Sequence, residues 1–174
     1  DASKPKLLIL AASYDDRDGR GRRALMNRGT VELLREIVKP YTIRFRALER
    51  VSDFEREMES APPLDSLIEF AHGNPEGICF GRGKGRYGII RPESELVFQR
   101  DNYSALSHFS RVKRGGSIIL YSCSTDEGGT GANNFASAVR RAAPNRCVFA
   151  ANDPFHSSEL RVKSAYPLLV TRVR

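Results

Sequence analysis

"SLIEFAHGNPEGICFG" (66–81) begins as an apolar run and stops at His72, with Gly73 directly behind it. A short apolar run bounded by turn residues is the signature of a buried strand. "SIILYSCSTDEGG" (117–129) repeats the arrangement, with Cys123 at the end of the run and a glycine-rich loop behind it. "KLLILAAS" (6–13) is a third such run. Between the runs lie stretches with helical spacing. In "RRALMNRGTVELLREIVK" (22–39), Leu25, Val31, Leu34 and Val38 can share one face. Gly29 interrupts that stretch, which makes Thr30 the expected cap and Pro40 the stop. Apolar strands alternating with helices predict an α/β fold, a three-layer sandwich around a mostly parallel sheet of about six strands.

The remaining segments fit the same plan. "YTIRFRAL" (41–48) alternates like a half-exposed strand, and "SDFEREMES" (52–60) reads as a helix capped by its serine. "GICFGRGKGRYGIIRPESELVF" (77–98) reads as short strands joined by a glycine-rich turn. "DNYSALSHFSRVKRGG" (101–116) reads as a helix closed by its glycines. "GANNFASAVRRAAP" (131–144) is the next expected helix, "RCVFAAND" (146–153) the next strand and "PLLVTRV" (167–173) the last. With no repeat, low-complexity tract or linker, residues 1–174 are expected to form one domain.

The chain has 174 residues and a net charge of +7, from 28 Lys+Arg against 21 Asp+Glu. Such a surface favours anionic partners at long range. The basic residues are scattered, however. The densest clusters, "RDGRGRR" (17–23) and "RVKR" (111–114), are not interleaved with aromatics, so no dedicated nucleic-acid surface is expected. No apolar run approaches the ~20 residues of a membrane span. Three cysteines without a CxxC pair argue against a disulfide framework and suit a reducing compartment. The expected location is the cytoplasm, or outside the cell for a secreted effector, and a sequence starting at Asp1 leaves room for a targeting region upstream.

In an open parallel sheet, the loops beyond the carboxyl ends of the strands form the site. His72, Cys123 and Asn152–Asp153 all fall there. A thiol attacks a carbonyl well only as thiolate or with a base to take its proton, and imidazole is the usual partner. The tetrahedral intermediate needs backbone donors, and a glycine after the histidine allows close approach to the main chain. His72, Gly73 and Cys123 together supply these requirements. Cys79 and Cys147 sit inside apolar runs and are expected to be inert core residues.

Other chemistries fit less well. The three histidines and three cysteines lack the short spacing of a zinc site, so no metal or other cofactor is expected. A cysteine phosphatase needs an arginine where Gly129 stands, and a hydrolase elbow needs glycines where Tyr121 and Thr125 stand. "GRGKG" (81–85) lacks the spacing of a phosphate-binding loop. The loop over 126–131 is better placed, because a glycine-rich segment leading into a helix can hold a phosphate or nucleotide. That alternative stays open, as does a catalytically inactive interaction module.

The two motifs, in this order and 51 residues apart, resemble those of the caspase-like (clan CD) cysteine peptidases, which include caspases, metacaspases, clostripain, gingipains, legumain and a CHAT subgroup. In caspases the interval is about 50 residues. "EGICFG" after the histidine extends the likeness, and "LLILAASYDDRDGRGRRALMNRGTVELLREI" resembles the opening strand, loop and helix of the family. "SCST" (122–125) approaches the cysteine motif of the CHAT subgroup. The resemblance covers about residues 6–153. It implies a caspase-like fold, a polypeptide substrate, a Cys123–His72 dyad, and an oxyanion hole from the amides of Gly73 and Cys123.

It also implies a substrate pocket walled by the loop from Tyr14 to Arg28, by Tyr121 and by Asn152–Asp153. The arginine of the caspase pocket falls near Asn27, with Arg28 one place off. Where caspases have Gln-Ala-Cys this chain has Tyr121-Ser122-Cys123, and the acidic residue of metacaspases is replaced by Tyr121. Tyr121 shares a face with Cys123 by strand alternation and is expected to line or block the pocket. Asp15, Asp16 and Asp153 suit a basic P1 side chain, whereas Arg17, Arg20, Arg22 and Arg28 suit an acidic one. A basic P1 is favoured, because Asp153 ends the strand beside Cys123. The oligomeric state is not legible.

Overall fold

A computed structural model of the chain describes residues 4–12, 28–80, 97–154 and 159–173. The apolar runs form the central strands, β1 (Lys6–Ala12), β3 (Leu64–Phe70) and β7 (Val112–Tyr121). They join β2 (Thr42–Leu48) and β8 (Cys147–Phe149) in a five-stranded sheet of order β2-β1-β3-β7-β8, parallel throughout. Helices α1 (Arg28–Val38) and α2 (Val51–Ser60) supply the first crossovers. A short α3 (Tyr103–Leu106), a 3-10 turn (Ser107–Arg111) and α4 (Phe135–Ala142) belong to the later ones. No described helix is long and apolar enough to cross a membrane.

Strand alternation sends side chains to two separate cores. Leu7, Ile9 and Ala11 of β1 meet Ile68, Phe70, Ile119 and Tyr121, and pack against Ile37 of α1. Leu8 and Leu10 meet Leu67, Ile118 and Leu120, and pack against Phe54 and Met58 of α2 and Phe135 and Val139 of α4. The second core is aromatic. The Phe54, Phe98, Phe109 and Phe135 rings lie 4.8–6.5 Å apart, and each such ring contributes ~1.5–3 kcal/mol on full burial. β2, at the sheet's edge, leaves Phe45 exposed and guards itself with Arg44 and Arg46, both paired with Glu57.

Among the described residues there are also two smaller antiparallel sheets. One joins β4 (His72–Asn74), β5 (Gly77–Cys79) and β6 (Val97–Gln99), and the other joins β9 (Leu160–Ser164) and β10 (Leu169–Arg172). The strand expected over 167–173 therefore pairs with β9 and adds nothing to the main sheet.

Three local expectations are corrected. Residues 101–116 are not one helix, because β7 already begins at Val112 and its glycines lie within it. Gly115 has φ +77° beside a register shift between Leu64 and Ser66, so it serves a bulge in the ladder and not a helix end. The start of α2 is tied by Asp53, whose carboxylate accepts from the amides of Glu49 and Arg50 at 3.0 Å each, while Ser52 lies inside the helix. Its other end is satisfied at long range, since Arg111 donates to the carbonyls of Met58, Glu59 and Ala61. Thr30 is not a cap but the third residue of α1, and it is buried.

Candidate active site

β3 and β7 run side by side with Phe70 opposite Tyr121, and the Ala71 amide donates to the Tyr121 carbonyl at 3.4 Å. His72 and Cys123 each stand two residues beyond that matched pair. The interval between the two motifs is thus the offset of two paired parallel strands. Adjacent ends of β3, β7 and β8 bring His72, Cys123 and Asn152–Asp153 to one edge of the sheet.

From there the two paths differ. His72 is exposed and opens a hairpin, with His72 opposite Cys79, Gly73 opposite Ile78 and Asn74 opposite Gly77. Asn74 closes the turn by accepting from the amides of Glu76 (2.7 Å) and Gly77 (3.1 Å). On the other path β7 ends at Tyr121, and Cys123 already lies in a turn where Ser124 has φ 55°, a conformation uncommon outside glycine. The turn that follows is tied to the chain beyond β8 by Ser124 N–H to the Asp153 carbonyl (3.3 Å) and Asp126 N–H to the Ala151 carbonyl (2.9 Å). The Asp126 carboxylate receives both terminal nitrogens of Arg140, at 2.7 and 3.0 Å. Such a bidentate pair fixes orientation as well as distance.

Gly73 touches this turn. A Cβ built on it would lie 2.7 Å from Thr125 Cγ2, 2.8 Å from Ser122 Cβ and 3.0 Å from the Cys123 carbonyl. The missing side chain therefore admits the cysteine segment itself, and this requirement holds before any substrate arrives.

The start of α4 grips both paths. Its Phe135 amide donates to the Pro75 carbonyl in the histidine hairpin (2.8 Å), and its Ala136 amide to the Thr125 carbonyl in the cysteine turn (3.0 Å). Asn134 caps the helix through Ser137 N–H (2.8 Å) and uses its amide nitrogen to hold the carbonyls of Glu127 and Gly129. The Asn134 amide itself donates to Ala132. Each of the four amides that a helix start leaves unsatisfied is therefore engaged. A phosphate at the 126–131 loop would have to displace these bonds.

Of the pocket residues expected from the sequence, Asp15 and Asn27 lie outside the described residues, and Arg28 opens α1. Tyr121 is buried, its ring 4.5 Å from that of Phe70 and its hydroxyl 3.3 Å from Thr30 Oγ1. Asn152 is exposed beside the cysteine turn. The Asp153 carboxylate is paired with Arg172, which also binds Glu159. Its hydrogen bonds donated to Asp153 and then to Glu159 hold the Arg172 guanidinium above its ordinary pKa.

All three cysteines are thiols, but only partly as expected. Cys147 is exposed, because it starts an edge strand, and Cys79 is half-buried across the hairpin from His72. His108 lies away from the site, 3.9 and 3.8 Å from Glu55 and Glu59. His156 is outside the described residues.

Sequence reasoning missed Asp126, Asn134, Arg140, Arg172 and Glu69. Glu69 carried the one available signal, a carboxylate inside an apolar run. It is fully buried, and burial pushes its carboxyl up to about 8. A search with protein-family models found no match to the chain, and a search of curated proteins found none either.

Proposed function

We propose that the chain is a cysteine endopeptidase of caspase-like fold. Cys123 Sγ attacks the scissile carbonyl carbon, and the carbonyl electron pair moves to oxygen, where the amides of Gly73 and Cys123 stabilise it. His72 accepts the thiol proton and returns it to the leaving amine as the C–N bond breaks. Water then hydrolyses the thioester with His72 as base, regenerating the thiol. The observation that carries this reading is the shared offset of the two motifs and the β3–β7 ladder, with Gly73 packed on the cysteine segment.

A polypeptide is the substrate class. Support for a basic P1 is reduced by the Asp153–Arg172 pair. The test is cleavage of a peptide library by the wild-type chain, Cys123→Ala and His72→Ala. Each substitution is expected to lower turnover by about three orders of magnitude or more, with unchanged urea denaturation. A peptide carrying a thiol-reactive electrophile should label Cys123. Full cleavage by Cys123→Ala would overturn the proposal, and a folded wild-type chain with neither cleavage nor labelling would favour an inactive interaction module.

A further inference from the structure

On the sheet face under α2 and α4, the Glu69 Oε1 and Oε2, Ser122 Oγ and Thr125 Oγ1 atoms are buried with no hydrogen-bond partner among the described residues. Buried polar atoms without partners are rare in native proteins and call for a reason. These lie close together in the fold. Glu69 stands between Leu10 and Leu120 in the ladder, and Ser122 follows Leu120 by two residues, just past the end of the neighbouring strand. Neighbours one pleat apart across a strand pair are within reach of a long side chain. A Cβ on Gly73 would meet both Ser122 Cβ and Thr125 Cγ2, so these two side chains converge on Gly73 beneath the turn that carries Cys123.

We infer that Glu69 is a positioning residue for the candidate nucleophile: its carboxyl group acts on the Ser122 and Thr125 hydroxyls and so sets the turn that presents Cys123. The inference rests on the reading of Cys123 as nucleophile. It requires an acid that can donate as well as accept, and burial supplies one by holding Glu69 protonated at neutral pH.

No described charge accounts for this, since burial is the cause. The face presented by α2 is Val51, Phe54 and Met58, while its Glu57 pairs with Arg44 and Arg46, its Asp53 with Arg56, and its Glu55 and Glu59 lie by His108. Arg111 is engaged with α2 carbonyls, Arg140 with Asp126, and Arg100 with Glu76. Arg141 is exposed, as is Glu127 in the turn.

The sign follows from the direction of the shift. The native chain keeps the Glu69 proton to about pH 8, whereas the unfolded chain releases it near 4.5. The stabilisation is therefore complete below the lower value and is lost as pH rises through the upper one. The cysteine turn is held on the acidic side and released on the alkaline side.

The experiment is hydrogen exchange of the full chain at pH 6 and pH 9, wild type against Glu69→Gln, which keeps donor and acceptor but cannot ionise. Peptides spanning 121–128 are expected to exchange alike at pH 6. At pH 9 the wild type is expected to exchange about fivefold faster there, with β1 unchanged. A ratio that does not vary with pH would overturn the inference. Should Glu69→Gln fail to fold, Ser122→Ala/Thr125→Val with Glu69 intact decides, because the loss of local protection at pH 9, measured relative to β1 of the same chain, must then disappear, and its persistence rejects the inference. Exchange requires no turnover. A proper exchange result with active Cys123→Ala rejects only the peptidase reading, and the converse rejects only the role of Glu69.

Discussion

The histidine end and the cysteine end leave the same sheet at the same level, yet they are held by different means. The hairpin carrying His72 is set by backbone pairing with β5, and side chains intervene mainly through Asn74. The turn carrying Cys123 has no ladder of its own. It relies on the Asp126–Arg140 pair, on Asn134, and on a left-handed Ser124 that costs about 1–2 kcal/mol. Backbone pairing tolerates most substitutions, whereas a turn fixed by named side chains does not. The geometry of the candidate site should therefore fail first on the cysteine side.

Gly73→Val attacks the contact between the two ends and is expected to have the largest effect. Its methyls must enter space held by Ser122, Thr125 and the Cys123 carbonyl, and overpacking of this kind costs ~3 kcal/mol. The urea midpoint measures it, and a neutral result would mean that the ends are not in contact. Asn134→Ala sharpens the contrast by removing a cap and two loop contacts together. It is expected to cost ~2 kcal/mol and to raise exchange in 123–131 while the hairpin stays protected. Equal loosening of both ends would erase the distinction. Asp153→Asn is the mildest, because its carboxylate is partly exposed, and the expected loss is within ~1 kcal/mol. P1 preference in a positional-scanning library should stay as it is, and a shift toward acidic P1 would restore Asp153 as a pocket residue.

The central strands were legible because β1, β3 and β7 are apolar on both faces, a pattern that survives without any knowledge of neighbours. The placement of His72 and Cys123 at neighbouring strand ends was legible for the same reason, since the apolar runs of two such strands align at their carboxyl ends when they pair. Residues 112–116 were not, because "VKRGG" shows no period of its own and becomes strand only through pairing with β3. β9 was missed although Leu160 and Val162 alternate with polar residues, since one short alternation is a weak signal. The pairing of Asp153 with Arg172 joins distant positions through tertiary structure, and nothing local announces it. Glu69 could be noticed but not interpreted, as its significance depends on which face of the sheet it occupies.

The first two amides of α4 have a consequence for the order of synthesis. A chain grown to residue 130 on the ribosome already contains His72 and Cys123, but not Phe135 and Ala136, whose bonds pin Pro75 and Thr125. Nor does it contain β8, which flanks the cysteine strand. Domains fold as units once enough of the chain has emerged. Both candidate side chains are thus made well before the parts that hold them, and the nascent polypeptide passes through its first three quarters without the candidate site assembled beside its own unfolded backbone.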